Sequence, residues 1–122
     1  MIKRDYLKRL IERAGPMLKK VFQLCQADKK SEAWQALREA SRSLLGIDAA
    51  LLEGLDEQSL CGLIALDESQ AEAKIALAAR LLEARAELLE EEGKTIAAAG
   101  LRAKAQSLYA RSAEAAELAR SL

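Results

Sequence analysis

The sequence predicts an all-α protein, and three observations support this prediction. Apolar residues make up 51% of the 122 residues but aromatic residues only 3%, so the core must consist mainly of leucine and alanine. Leucine and alanine are strong helix formers, and glutamate, lysine and arginine follow closely. The chain has one proline and few β-branched residues, which argues against β-strands. From the apolar periodicity we expect about five helices in antiparallel hairpins.

A chain of this length is expected to form one domain, which we divide into a hairpin at 2–45, an insertion at 48–66 and a second hairpin at 68–121. The first helix is amphipathic, with an apolar stripe opposite a basic face. Gly15-Pro16 interrupts its pattern, because proline removes a helical hydrogen bond and clashes with the preceding turn. The sequence leaves open whether this pair breaks the helix or only kinks it.

The second helix is predicted at 32–45, with Ser31 as its N-cap and Gly46 as its C-cap. Its Trp34 is either a surface anchor for a partner or a residue half-buried against the next helix. The following segment is apolar without a regular period, and Gly54 and Gly62 interrupt it. We therefore interpret residues 48–66 as an irregular helical insertion between the hairpins.

Two aspartates are expected as N-caps in the second half of the chain. Asp56 would begin a short helix in the insertion, and Asp67 would begin the longest helix, predicted to reach residue 99. Within that helix Gly93 has a helical context, which favours a role in close packing. Gly100 follows a helical run and is predicted to form the turn of the second hairpin.

The two hairpins contain an internal repeat, offset by 72 residues. Two triplets with equal spacing are predicted to be buried: Ala33, Leu37 and Ala40 in the first hairpin, and Ala105, Tyr109 and Ser112 in the second. Because residues three and four apart lie on one face of a helix, each triplet would point into the core.

The second hairpin resembles a tetratricopeptide repeat, a helical hairpin of about 34 residues. Small, bulky and aromatic residues carry the resemblance at matching positions: Gly93 and Ile96 on the first helix, Gly100 at the turn, and Ala105 and Tyr109 on the second helix. The resemblance implies hairpins stacked as a short right-handed superhelix with a concave groove that binds proteins. It also implies the residues that border this groove: Arg85, Leu89, Glu92, Ile96 and Ala99.

The segments 5–12 and 44–48 are similar to a family of small, uncharacterised bacterial tetratricopeptide-like proteins. This second resemblance runs along most of the chain. It implies the same fold and a bacterial origin, and it brings no catalytic residues with it.

Enzyme chemistry is not indicated by the residue types present. The chain contains no histidine, and its two cysteines, Cys25 and Cys61, lie far apart without a CxxC pair. Zinc sites need four ligands, usually closely spaced, and activated serine or cysteine nucleophiles usually need a histidine base. We expect a non-enzymatic protein without cofactor or metal, with both cysteines in the core.

The cellular compartment is predicted from the lengths of the apolar segments and the charges between them. Charged residues interrupt any signal-peptide core near the start, and no apolar run is long enough for a membrane span. We therefore expect a cytoplasmic protein.

Formal charge is balanced overall, with 19 basic and 19 acidic side chains, but it is unevenly distributed. Residues 1–45 contain 11 basic and 5 acidic side chains, whereas residues 46–93 contain 3 and 12. We expect an interaction module for an unknown protein or peptide. One alternative is a homodimer that buries the apolar stripe of the first helix or the alanine-rich last helix. Binding of nucleic acid or an anionic surface through the basic first helix is disfavoured, because no aromatic residues alternate with its cations and the overall formal charge is zero.

Overall fold

A computed structural model describes the backbone of residues 2–66 and 70–122, and the side chains of residues 7–66 and 70–122. The all-α prediction is confirmed, since this part of the chain contains helices and turns but no strand. The expected count of about five helices is too low, because the insertion forms two short helices and the last hairpin helix divides at Ser112. The seven helices are α1 (Ile2–Gln26), α2 (Lys30–Leu45), α3 (Ala49–Gly54), α4 (Glu57–Ile64), α5 (Ala71–Glu91), α6 (Thr95–Arg111) and α7 (Ala113–Arg120).

Helix α5 is the centre of the molecule and packs against each of the other six helices. Its apolar residues are buried around most of its circumference rather than along a single stripe. The buried residues are Ala73, Ala76, Leu77, Ala78, Ala79, Leu81, Leu82, Ala84, Ala86, Leu88 and Leu89. A helix that is apolar on all sides is stable only when other elements surround it, so the two hairpins and the insertion pack around α5.

The core consists mainly of leucine and alanine, as predicted. Both repeat triplets are buried, including Tyr109 at 2% exposure and Ser112 at 1%. The hydroxyl of Ser112 donates to the carbonyl oxygen of Leu108 at 3.1 Å, which satisfies this buried polar group within its own chain.

Helix α5 ends in a left-handed turn at Gly93, which has a φ of 81°. The backbone N–H of Lys94 donates to the carbonyl of Leu89 at 2.9 Å, and the N–H of Gly93 donates to the carbonyl of Glu90 at 2.9 Å. This pair of hydrogen bonds is a Schellman motif, which requires a residue with positive φ and so favours glycine. Gly93 is therefore the turn residue of the second hairpin.

The observed turn lies seven residues before the predicted one. The expectation that Gly93 packs inside a long helix and that Gly100 forms the turn is wrong, because Gly100 lies inside α6. No described atom from outside that helix lies within 4 Å of the position that a Cβ of Gly100 would take. Seven residues make almost two full helical turns, so both registers bury the same face.

The turn between α1 and α2 is built in the same way. The N–H of Lys29 donates to the carbonyl of Leu24 at 3.1 Å, and the N–H of Asp28 donates to the carbonyl of Cys25 at 3.3 Å. Asp28 takes the left-handed position with a φ of 58°, which aspartate tolerates better than most residues. Gly93 follows Asp28 by 65 residues, so the hairpin turns repeat at 65 residues rather than at the predicted 72.

Two predicted caps are confirmed and one is wrong. Asp56 is the N-cap of α4, with its carboxylate accepting a hydrogen bond from the N–H of Ser59 at 2.6 Å. Gly46 is the C-cap of α2, with a φ of 73°. Ser31 lies inside the first turn of α2 and is not its N-cap. Asp67, the expected cap of the longest helix, lies outside the described residues.

Helix α1 continues through Gly15-Pro16 without a break. Pro16 is exposed, so the carbonyl group that loses its helical partner lies on the side of the helix that water reaches. A Cβ added to Gly15 would lie 3.4 Å from Cδ2 of Leu122. Gly62 does not interrupt the insertion either, because it lies inside α4.

Alanine substitutions at the two glycines should have opposite effects on stability. We expect Gly93→Ala to lower the free energy of unfolding by about 1 kcal/mol, because alanine disfavours positive φ. Gly100→Ala should raise it by about 1 kcal/mol, because alanine is the better residue in an exposed helix interior. Urea denaturation followed by far-UV circular dichroism measures both changes. If Gly93→Ala raised the free energy of unfolding and Gly100→Ala lowered it, the turn would instead lie at Gly100.

Candidate functional site

An open cleft of about 390 Å³ lies between the first half of α2 and the second half of α5. We name it the α2–α5 cleft. On α5 its residues follow one another at helical spacing and share a face. The residues that line it are Lys30, Ser31, Trp34, Arg85, Leu88 and Glu92.

The middle of the cleft is an aromatic ring stacked on a cation. The guanidinium carbon of Arg85 lies 4.5 Å from the ring centre of Trp34, a geometry in which the ring attracts the positive charge. Arg85 Nε also lies 3.0 Å from a carboxylate oxygen of Glu53 on α3. Both sides of the guanidinium group are thus held, and the cleft wall is ordered before any partner arrives.

The ends of the cleft are polar. Lys30 Nζ donates to the carbonyl oxygen of Glu91 at 3.3 Å, near the C-terminus of α5. The carboxylate of Glu92 lies 3.5 Å from Lys94 Nζ. A half-buried apolar centre with a charged rim is the usual organisation of a surface that binds proteins.

The residues predicted to border a groove do not lie together. Arg85 and Glu92 line the α2–α5 cleft, whereas Leu89 is only 3% exposed and belongs to the core. Ile96 and Ala99 are exposed on α6, Ile96 to 90%, and neither lines the cleft. Trp34 was considered as a surface anchor and is half-buried. Its contact with Arg85 was not predicted, because the two residues lie far apart in sequence.

Lys104 on α6 secures the end of α3 beneath the cleft. Its Nζ donates to the carbonyl oxygens of Leu52 at 2.8 Å and Glu53 at 3.3 Å, and also to that of Leu55. Burial lowers the pKa of Lys104, while the carboxylates of Asp56 and Glu53 raise it. Since Glu53 pairs with Arg85, Lys104 acts as a positioning residue for the cleft wall.

A second polar network joins α1, α5 and α6 and serves packing. Arg80 lies 4.2 Å from the ring centre of Phe22 and 3.4 Å from the carboxylate of Glu83, and it donates to the carbonyl of Leu122 at 2.8 Å. The hydroxyl of Tyr109 donates to Glu83. Burial and this carboxylate hold the pKa of Tyr109 well above its ordinary value, so it remains protonated.

Neither cysteine is an activated nucleophile. Burial, together with the carboxylates of Glu87 and Glu91, raises the pKa of Cys25 to about 11, and burial raises that of Cys61. The thiolate is the reactive form, and at neutral pH both thiols carry their protons. Within residues 7–66 and 70–122, no three histidine, cysteine, aspartate or glutamate side chains lie close enough to hold a metal ion.

Comparisons of the chain with family models, with curated proteins and with solved structures find no match. Among the helices described, none has the length and apolar character needed to cross a membrane. The function must therefore be inferred from the chemistry of the surfaces.

Replacing Lys104 should destabilise the fold. We expect Lys104→Met to lower the free energy of unfolding by about 1–3 kcal/mol, because the part-buried carbonyls at the end of α3 lose their charged donor. The matched control is Arg102→Met, which removes an exposed pair with Glu90 and should cost less than about 1 kcal/mol. Equal losses in urea denaturation would show that α3 does not depend on Lys104.

Proposed function

We propose that this protein is a non-enzymatic interaction module that binds a segment of another protein in the α2–α5 cleft. The observation that carries the proposal is the stacked pair of Trp34 and Arg85 in an open cleft with a polar rim. Tryptophan and arginine are enriched among the residues that contribute most to protein interfaces. Because Glu53 already holds Arg85, binding would cost little ordering of this wall.

The cleft favours a short segment with one apolar side chain between charged groups. The half-buried ring of Trp34 offers the apolar contact, whereas Leu88 lines the cleft but is only 1% exposed. Lys30 and Glu92 offer opposite charges at the rim, so they favour a segment that carries both signs. The protonated thiols and the absence of histidine from the sequence support a non-enzymatic role.

We also propose a tetratricopeptide-like arrangement of the two hairpins. Its support is the equal turns at Asp28 and Gly93, whose separation of 65 residues is close to twice the period of about 34 residues. A cytoplasmic location belongs to the same proposal, because the two cysteines are free and free thiols are typical of reducing compartments.

Peptide selection on the folded protein tests the cleft. A peptide enriched from a random library should change the emission of Trp34, the only tryptophan in the chain. We expect Arg85→Met to weaken its binding at least about tenfold, because the stacked cation is lost from the centre of the interface. Arg42→Met is the matched control, since Arg42 forms an exposed pair on the same helix as Trp34.

Two results would count against the cleft. One is the failure to enrich any peptide, and the other is equal affinity for wild type, Arg85→Met and Arg42→Met. Circular dichroism of each variant confirms that the helices are intact, so that lost binding reports on the cleft and not on unfolding.

Self-association is a second candidate, and it is favoured by the outer face of α3 and α4. Large apolar residues are exposed in this part of the chain: Leu51 on α3 to 45%, Leu63 on α4 to 36% and Leu66, just after α4, to 82%. Nearby charged residues are engaged elsewhere, since Glu53 pairs with Arg85 and Glu57 with Arg111. Large apolar side chains exposed on neighbouring elements are candidates for a surface that another protein covers.

This location differs from the one that the sequence suggests. Leu7 and Leu10 on α1 are 2% and 8% exposed, and Ala115, Ala116 and Ala119 on α7 are equally buried. These apolar residues pack within their own chain, so substitutions such as Leu7→Glu would disrupt the core rather than an interface.

Light scattering at two protein concentrations tests self-association. A dimer would have twice the chain mass of 13.3 kDa, and Leu63→Lys with Leu66→Lys should return it to the monomer, because the two charges would be buried without partners. Ile96→Lys is the control, since Ile96 is exposed on another helix. A monomeric wild type at both concentrations would exclude this candidate.

A further inference from the structure

Five basic residues between positions 8 and 20 are exposed on α1. They are Lys8, Arg9, Arg13, Lys19 and Lys20, and we name this surface the α1 basic face. Among the described residues, no carboxylate lies within ion-pair distance of any of the five. Over the stretch from residue 8 to residue 20, Glu12 is the only acidic residue.

Arginines on the other helices are engaged differently. Five of them are paired with a carboxylate within 4 Å: Arg42 with Asp48, Arg80 with Glu83, Arg85 with Glu53, Arg102 with Glu90 and Arg111 with Glu57. Within residues 7–66 and 70–122, α1 is therefore distinguished by five exposed cations along one helix that lie beyond ion-pair distance of a described carboxylate. One of them, Lys20, lines a pocket together with Glu32 and Glu39 of α2.

The α1 basic face is held on a rigid support. The opposite side of α1 is buried in the core through residues such as Leu7, Ile11 and Leu18. Residues 8 to 20 extend over about 18 Å of helix axis, at 1.5 Å per residue. Arg9, Arg13 and Lys20 lie in one row at helical spacing, and Lys8 and Lys19 in a second.

We propose that the α1 basic face binds the phosphate backbone of a nucleic acid duplex without reading its sequence. A duplex carries about one negative charge per 1.7 Å of its axis, so a stretch of this length meets several phosphates. Guanidinium groups suit phosphate oxygens because they donate two parallel hydrogen bonds. This inference concerns a different surface from the α2–α5 cleft and does not depend on it.

Other anionic partners fit this surface less well. Helices that lie on membranes place large apolar residues beside their cations, whereas the exposed large apolar residues among the described side chains lie outside α1: Leu51, Leu63 and Ile96 on other helices and Leu66 just after α4. Single strands are bound by stacking on aromatic residues. Phe22, the aromatic residue of α1 among its described side chains, is half-buried beneath Arg80. A duplex needs neither feature, because backbone charge supplies most of its non-specific affinity.

Fluorescence anisotropy with a labelled DNA duplex tests the proposal over a range of salt concentrations. The variant Arg9→Gln, Arg13→Gln, Lys20→Gln should bind at least about tenfold more weakly at low salt. Its slope of log K against log salt should be smaller by about 2.7, since each phosphate contact contributes about 0.9. Two duplexes of unrelated sequence should bind equally to wild type.

The matched control is Arg42→Gln, Lys94→Gln, Arg102→Gln, which removes the same charge from exposed, paired positions on other elements. It should keep the wild-type slope and an affinity within about threefold, because binding depends on local phosphate contacts and not on net charge. Trp34→Ala should leave duplex binding unchanged, so failure of the cleft proposal is distinguishable from failure of this one.

Several outcomes would overturn the inference. These are no duplex binding at low salt, equal weakening by the two triple variants, or a preference for single-stranded DNA. Sedimentation with phosphatidylcholine–phosphatidylserine vesicles adds another, since vesicle binding without duplex binding would assign the face to a membrane surface. Circular dichroism of both triple variants confirms that the fold is retained.

Discussion

The burial of α5 on nearly all sides is the constraint on which the rest of the structure depends. Many of its buried residues are alanines, several of them with no exposed surface, as at Ala76, Ala79 and Ala86. Small side chains allow neighbouring helices to approach closely, and a well-packed interior tolerates added volume poorly. The positions of α1, α2 and α6 are therefore defined relative to one helix, and every surface with a candidate function is carried by a helix that packs on it.

Two kinds of positive charge follow from this arrangement. Lys104, Glu53, Arg85 and Trp34 form a connected series that joins α6 to α3, α5 and α2. In that series the cations are partly desolvated, so their contacts position the cleft wall more firmly than exposed pairs do. The five cations of the α1 basic face are exposed and lie beyond ion-pair distance of the described carboxylates, which leaves their charge available at longer range. Lysine and arginine thus stabilise the cleft wall at Lys104 and Arg85, whereas on α1 they form an exposed basic surface.

Much of the fold is predictable from the sequence, and the failures share a cause. Helical content, the leucine and alanine core, the buried triplets and the caps at Gly46 and Asp56 all follow from local propensity and periodicity. The turn at Gly93 does not, because a shift of seven residues changes the orientation of a helix face by only about 20°. The candidate cleft is partly predictable: Arg85 and Glu92 were expected and Leu88 lies on the same face of α5, but Trp34 and Lys30 meet them only where α2 packs against α5.

The helical class and the buried side of most helices follow from local sequence, because both depend on residues within a few turns of one another. Tertiary structure alone decided where α5 ends, which glycine takes positive φ and which cations find carboxylates. Those outcomes depend on how separate helices pack around α5, since a residue such as Arg85 meets Trp34 and Glu53 only after three helices have come together. A short stretch of sequence cannot predict a contact whose other partner lies outside that stretch.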